Sequence, residues 1–242
     1  MLLHGLQDCA RLWDYFAEPM SERYHVIAVD HRGHGDSPPA TPETYKLSDY
    51  VSEVADIIDG LGLNGVILAG HSAGSKNAWM YTASHPERVS RLIITDMDPD
   101  SHNPGSVEMI SRYKSEDDNW PNLEAVIERL RDRQPHSTDD VIEHCAVQLT
   151  KPDSKGGLVW KRDRTTVTAY DRPDVWDMLP NVNVPTLIVR GAISTLLNAQ
   201  VARRMNEVIP NCRLVELPDA AHWVHLERIA DYQRSVEEFL AE

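Results

Sequence analysis

The chain has 242 residues, 41% of them hydrophobic and 26% charged, which is enough to bury one enzyme-sized core with a smaller insertion. Its 38 acidic residues against 24 basic ones give a formal net charge of -14, which repels phosphate backbones and anionic lipid surfaces and excludes nucleic acid and membranes as expected partners. No apolar run of about 18 residues suits a bilayer span, no basic and apolar leader precedes the first strand, and Cys9, Cys145 and Cys212 lack C-x-x-C spacing. Free thiols and a cytoplasmic location are the expectation.

In chain order, Met1-Leu2-Leu3 reads as a strand that runs into His4-Gly5-Leu6. Cys9 to Met20 predicts a short helix with Leu12, Trp13 and Phe16 on one face. Tyr24 to Asp30 predicts a second strand, followed by the turn His31-Arg32-Gly33-His34-Gly35-Asp36-Ser37. A helix capped by Ser48 or Asp49 should run through Ile58, burying Val51, Val54, Ala55 and Ile58, and end at Gly60-Leu61-Gly62. The apolar run Gly65 to Ala69 is a strand that turns at Gly70-His71-Ser72-Ala73-Gly74 into a helix reaching Ser84, before Pro86. Arg88 to Thr95 is the next strand. From about Met97 to Asp177 the strand and helix rhythm breaks, with helical periodicity in Pro121 to Arg133 and Asp139 to Leu149 and a loop over Lys151 to Gly157. Val184 to Arg190 and Arg213 to Leu217 complete the strands, the last just before Pro218-Asp219-Ala220-Ala221-His222. Short apolar strands alternating with amphipathic helices require a parallel sheet covered on both faces, an α/β architecture.

The G-x-S-x-G pentad carries a mechanism. Gly70 and Gly74 keep a crowded turn free of side chains, so the Ser72 hydroxyl projects above the sheet and the amides of the following helix start beside a bound carbonyl oxygen. Together with His4-Gly5, the D-x-R-G-x-G-x-S run from Asp30 to Ser37 and the late His222, it resembles the α/β-hydrolase superfamily over nearly the whole chain. The resemblance implies an α/β-hydrolase fold with a mostly parallel sheet of about six strands, a core of residues 1-96 and 178-242, and a helical cap over 97-177. It also implies that the two antiparallel strands that usually precede the HG strand are missing, which leaves Tyr24 to Val29 as an edge for a nearby helix or a homodimer partner to cover.

By the same resemblance Ser72 is the nucleophile, His222 the base, and the amides of Leu6 and Ala73 the oxyanion hole, while His4 braces its loop or faces substrate. The acid is open. Relatives carry aspartate in a stretch like R-G-x-x-S-D-x-L, whereas this chain has Arg190-Gly191-Ala192-Ile193-Ser194-Thr195-Leu196-Leu197, with Thr195 at the acid position. Asp96, at the end of the strand beside the elbow, is the relocated candidate, Asp98 its reserve, and Asp219 stands too close to His222 in sequence to be preferred. The i,i+3 pairs His31/His34 and His222/His225 lack a convergent third ligand, so neither metal nor cofactor is expected. Trp120, Trp160, Trp176 and Trp223 are candidate walls for an apolar or aromatic group. The leading expectation is hydrolysis of a small carboxylic ester or lactone. The alternatives are a carbon-carbon bond hydrolase, or a weak or silent small-ligand-binding homologue whose acid became Thr195.

Overall fold

The computed structural model describes residues 1–100 and 102–242. Six parallel strands form the sheet: β1 (Leu2–Leu3), β2 (Ala28–Val29), β3 (Val66–His71), β4 (Val89–Thr95), β8 (Thr186–Gly191) and β9 (Cys212–Leu217), in the order β2-β1-β3-β4-β8-β9. From β1 the chain first builds outward to β2 and then crosses back to β3, so the strand order reverses between β1 and β3. Ligands bind at such a reversal, outside the carboxyl ends of the strands.

Period-two alternation sorts the strand residues onto two faces. Leu92, Ile94 and Ile188 pack with α2 (Leu47–Gly60), α3 (Ala73–Ser84) and α8 (Ala199–Val208) through Val54, Ile58, Trp79 and Met205. Ile93, Leu187 and Val189 pack on the other face with α1 (Asp14–Met20) and α10 (Ile229–Ala241) through Phe16, Tyr232 and Phe239. Leu92 and Ile94 are fully buried, and truncating either to alanine costs about 2–5 kcal/mol.

The departures from the sequence reading have local causes. Tyr24 to Asp30 contributes only Ala28–Val29 as strand, because its partner β1 offers only Leu2 and Leu3 for pairing. Cys9 to Met20 splits into a 3-10 turn at Ala10–Trp13 and helix α1. The start of α2 is held by Asp49, whose carboxylate accepts the Lys46 amide at 3.1 Å, and Ser48 is no cap.

Between β4 and β8 lie α4 (Pro104–Ser115), α5 (Leu123–Arg133), α6 (Asp139–Leu149) and α7 (Thr165–Ala169). With them is a small antiparallel sheet of β5 (Asn119–Trp120), β6 (Thr150–Pro152) and β7 (Leu158–Trp160). α5 and α6 match their periodicity. α4 is an addition to the sequence reading; its start signal is Asn103-Pro104, where the Asn103 side chain accepts the Ser106 amide at 3.2 Å.

Val126, Leu130, Ile142 and Cys145 of this insertion pack with Leu12, with Trp223 and with Leu226 of the short helix α9 (Val224–Glu227), just beyond His222. Asp163 bolts it to the turn after β2, accepting the Tyr45 hydroxyl at 2.8 Å and donating its amide to Gly33 at 2.7 Å. Among the described residues no helix is long and apolar enough to cross a membrane.

Candidate active site

At the end of β3, Ser72 takes φ 52 and ψ -124, a conformation that costs about 1–3 kcal/mol and persists only where neighbours impose it. They do so here. The Ser72 amide donates to Thr95 O at 3.0 Å, and the Ser75 hydroxyl donates to Gly70 O at 2.6 Å and accepts the Thr95 amide at 2.9 Å, pinning the turn to the end of β4. A Cβ on Gly70 would lie 2.4 Å from the Gly74 backbone and one on Gly74 2.3 Å from Leu3 O, so only glycine fits either position. Among the described residues the other non-glycine positive-φ residues are Gln7, Asp96 and Asp219, in the loops after β1, β4 and β9. Backbone strain is therefore concentrated at the carboxyl end of the sheet.

A Cβ on Gly5 would come within 3.0 Å of Ser72 Cβ, so the loop after β1 lies directly against this serine. Leu6 and Ala73 line a narrow cleft with His4, and among the described residues neither of their amides is spent on a hydrogen bond within the chain. Ala73 opens α3, whose N-terminal dipole favours negative charge at that point. His4 is a brace for this loop. It donates from Nδ1 to Gly5 O at 2.7 Å and accepts the His31 amide on Nε2 at 3.0 Å, and burial lowers its pKa to about 3, so it stays neutral.

His222 follows β9, and its Nδ1 lies 2.8 Å from Asp96 Oδ2. The same oxygen accepts the Ser194 hydroxyl at 2.5 Å, while Asp96 Oδ1 accepts the Gly191 amide at 3.2 Å. Burial pushes the Asp96 carboxyl up to about 7, against the Ser194 and Gly191 hydrogen bonds, which favour the anion. Burial likewise holds the His222 imidazolium well below its ordinary pKa. The ring is thus neutral at pH 7, with its proton on Nδ1 and the lone pair on Nε2.

Thr195, at the position where the sequence resemblance puts the acid, is exposed, and its carbonyl packs on Gly105 of α4. Asp98 is committed to Arg172 at 2.6 Å and to Asn103. The Asp219 side chain is 87% exposed beside Arg228.

Beside His222 is a cavity of about 300 Å³, walled by Tyr113, Arg129 and Arg133 of the insertion and by Thr195, His222 and Trp223 of the core. Ser72 is buried and is not among its lining residues; His222 is the member of the group that the cavity reaches. Of the four tryptophans considered from sequence, only Trp223 lines it. Trp120 and Trp160 pack edge to face on each other at 5.4 Å in the small sheet. Trp176 donates to Asp100 at 2.6 Å and lies under the Arg204 guanidinium, where it anchors the return to β8.

A family model described as alpha/beta hydrolase fold matches residues 1–229. The chain belongs to the α/β-hydrolase family. This hydrolase is 29% identical over 229 residues to the 2-(acetamidomethylene)succinate hydrolase of Mesorhizobium japonicum, covering 93% of this chain and 81% of that protein. It is 28% identical over 253 residues to an sn-1-specific diacylglycerol lipase of Mus musculus, covering 100% of this chain and 80% of the lipase. The crystal structure of an E-2-(acetamidomethylene)succinate hydrolase superposes with a TM-score of 0.93 at 26% identity, over 100% of this chain and 90% of the other.

Three neighbours of the hydrolase's site escaped the sequence reading. Ser194 stands in the same Arg190-Gly191-Ala192-Ile193-Ser194 run that resembles the acid-bearing stretch of relatives, which is the signal the sequence offers for it. His71, inside the elbow motif, donates from Nε2 to His222 O at 2.9 Å and so fixes the backbone of His222. Asp8 lies 3.4 Å from His71 Nδ1 and is paired with Arg133, a contact between residues 125 positions apart that no spacing announces.

Proposed function

We propose that this hydrolase cleaves a small carboxylic ester or lactone through an acyl-enzyme on Ser72, beneath a helical cap formed by residues 97–177. The observation that carries the reading is the 2.8 Å contact between His222 Nδ1 and the buried Asp96 carboxylate, and the strained backbone of the elbow serine supports it. Ser72 Oγ attacks the carbonyl carbon as its proton passes to His222 Nε2, and the oxyanion is received by the amides of Leu6 and Ala73. The imidazolium, stabilised through Nδ1–H by Asp96, returns the proton to the departing alkoxide. Water, deprotonated by the same nitrogen, then attacks the acyl carbon and releases the acid and free Ser72.

The test is turnover of short and medium-chain p-nitrophenyl esters together with labelling by a p-nitrophenyl phosphonate. Ser72→Ala should abolish both, and His222→Ala should reduce both strongly. Equal turnover in the three proteins, or a phosphonate adduct elsewhere than Ser72, refutes the mechanism. A silent binding protein would retain ligands without covalent labelling.

A further inference from the structure

The wall of the cavity beside His222 is cationic at depth. The Arg133 side chain is 7% exposed, gives one Nη to Asp8, lies 4.6 Å over the Trp223 ring, and keeps a buried Nε without a partner. Arg129 is half-buried; its Nε pairs with Glu116, and its Nη1 is buried with no partner. Glu116 is shared with Arg162 at 3.1 Å, so it does not neutralise Arg129 alone. Arg112, exposed at the mouth, has no ion pair among the described residues. The carboxylates that also line the cavity, Glu108 and Asp132, are exposed, where water screens them.

The buried Nε of Arg133 and Nη1 of Arg129 face protein, and the pairing of Arg133 with Asp8 ties α5 to the loop after β1, so an anion in the cavity meets the remaining parts of the guanidinium groups that line it. A carboxylate matches the fork of a guanidinium, and three arginines along one cavity give it cationic partners. This concentration of positive charge is also notable in a chain of net charge -14, which otherwise repels anions.

We propose that the cavity seats a free carboxylate of the substrate on Arg129 and Arg133, with Arg112 at its mouth. Resting on the acyl-transfer reading above, this narrows the substrate class to acyl compounds bearing a second, ionised carboxyl group besides the bond that is cleaved. Trp223 forms the floor under the guanidinium of Arg133, and His222 borders the same space, so the bound anion lies close to the ring that becomes cationic during the reaction.

The experiment has a binding arm and a turnover arm. Binding of glutarate, of its neutral isostere glutaramide and of inorganic phosphate is measured by calorimetry and tryptophan fluorescence at low ionic strength. The proteins are the parent, Arg129→Gln, Arg129→Lys and Arg112→Gln. The parent should prefer glutarate to both other ligands, with affinity falling roughly tenfold or more in Arg129→Gln and less in Arg129→Lys. Arg112→Gln, altered at an exposed side chain, keeps the test open should Arg129→Gln not fold; it should weaken glutarate by a smaller factor.

In the turnover arm, kcat/KM for mono-p-nitrophenyl glutarate is divided by that for p-nitrophenyl pentanoate. The ratio should be about ten or more in the parent and fall about tenfold in Arg129→Gln. A parent that binds glutarate no better than glutaramide, or phosphate better than glutarate, overturns the proposal, as does a ratio of one or less. Loss of all ester turnover and of Ser72 labelling in the parent would instead overturn the acyl-transfer reading, and glutarate binding alone would then decide the carboxylate site.

Discussion

Replacing Asp96 by asparagine removes a charge while leaving the local backbone at ease, because asparagine tolerates the left-handed φ of 49 found there. The new side-chain oxygen can still accept the Gly191 amide, which now bonds Asp96 Oδ1 at 3.2 Å. The amide nitrogen then occupies the place of Oδ2 and presents a donor to His222 Nδ1, which drives the ring proton to Nε2. The lone pair needed to receive the Ser72 proton is lost. In a serine-protease triad the equivalent exchange lowers kcat by about 10⁴. Burial pushes Asp96 up to about 7, which still leaves most of it ionised at pH 7.5, and the Ser194 hydroxyl on the same Oδ2 favours the anion. The expected loss is therefore about 10³ to 10⁴, equivalent to about 4–5.5 kcal/mol of transition-state stabilisation. It should show in kcat for a p-nitrophenyl ester at pH 7.5 and, in proportion, in the rate of phosphonate labelling, with the melting temperature little changed. A loss of less than tenfold in both rates would refute the assignment of Asp96 as the acid.

Thr195→Asp should bring no gain in the parent, because Nδ1 of His222 is already occupied at 2.8 Å; a tenfold rise in kcat would point back to position 195 as the natural place of the acid. Ser194→Ala removes the hydroxyl at 2.5 Å from Asp96 and should lower kcat about tenfold with KM nearly unchanged, so an effect confined to KM would show that Ser194 acts on substrate instead. Gly191→Ala would set a Cβ 2.0 Å from Ala221 O and 2.3 Å from Ala220 O, in the loop that carries His222. A destabilisation of about 3 kcal/mol or more with reduced labelling is expected, and urea unfolding with an unchanged midpoint would contradict the packing.

Stability should also fall as the pH drops from 7.5 to 5. Burial keeps His4, His34, His222 and His225 neutral in the native state, with pKa values depressed below the ordinary 6.5, so below that pH the unfolded chain takes up protons that the native chain refuses. Asp96 and Glu227, raised by burial to about 7, bind protons in the native state over the same range and offset two of the four. An equal or higher melting temperature at pH 5 would show that the carboxyls win.

The sequence by itself determined what depends on short-range order. The strand that runs into Gly70-His71-Ser72-Ala73-Gly74, the α3 helix over Ala73–Ser84 and the β4 strand over Val89–Thr95 follow from apolar runs, glycine placement and Pro86, all read within a dozen residues. The chain order of motifs likewise sufficed for the α/β architecture, because covered parallel strands leave a distinctive apolar pattern.

Tertiary structure decided what depends on residues distant in the chain. The contact of Asp96 with His222 joins positions 126 apart, and that of Asp96 with Ser194 positions 98 apart. Before folding, the aspartate missing at position 195 left Asp96 as the relocated candidate, with Asp98 in reserve and the loss of the acid as the other reading. Only the sheet order, which sets β4 beside β8 and β8 beside β9, makes Asp96 the carboxylate that faces the histidine. The same holds for the tryptophans. An indole signals bulk wherever it stands, and the packing of the small sheet takes Trp120 and Trp160 away from the cavity while the loop after β9 brings Trp223 to it. Arg133 stands seven residues after Val126 and three after Leu130, on the flank of the apolar stripe of α5, where periodicity alone gives no sign of a cation's use. Its place in the wall of the cavity, with Arg129, arises because α5 docks over the His222 loop.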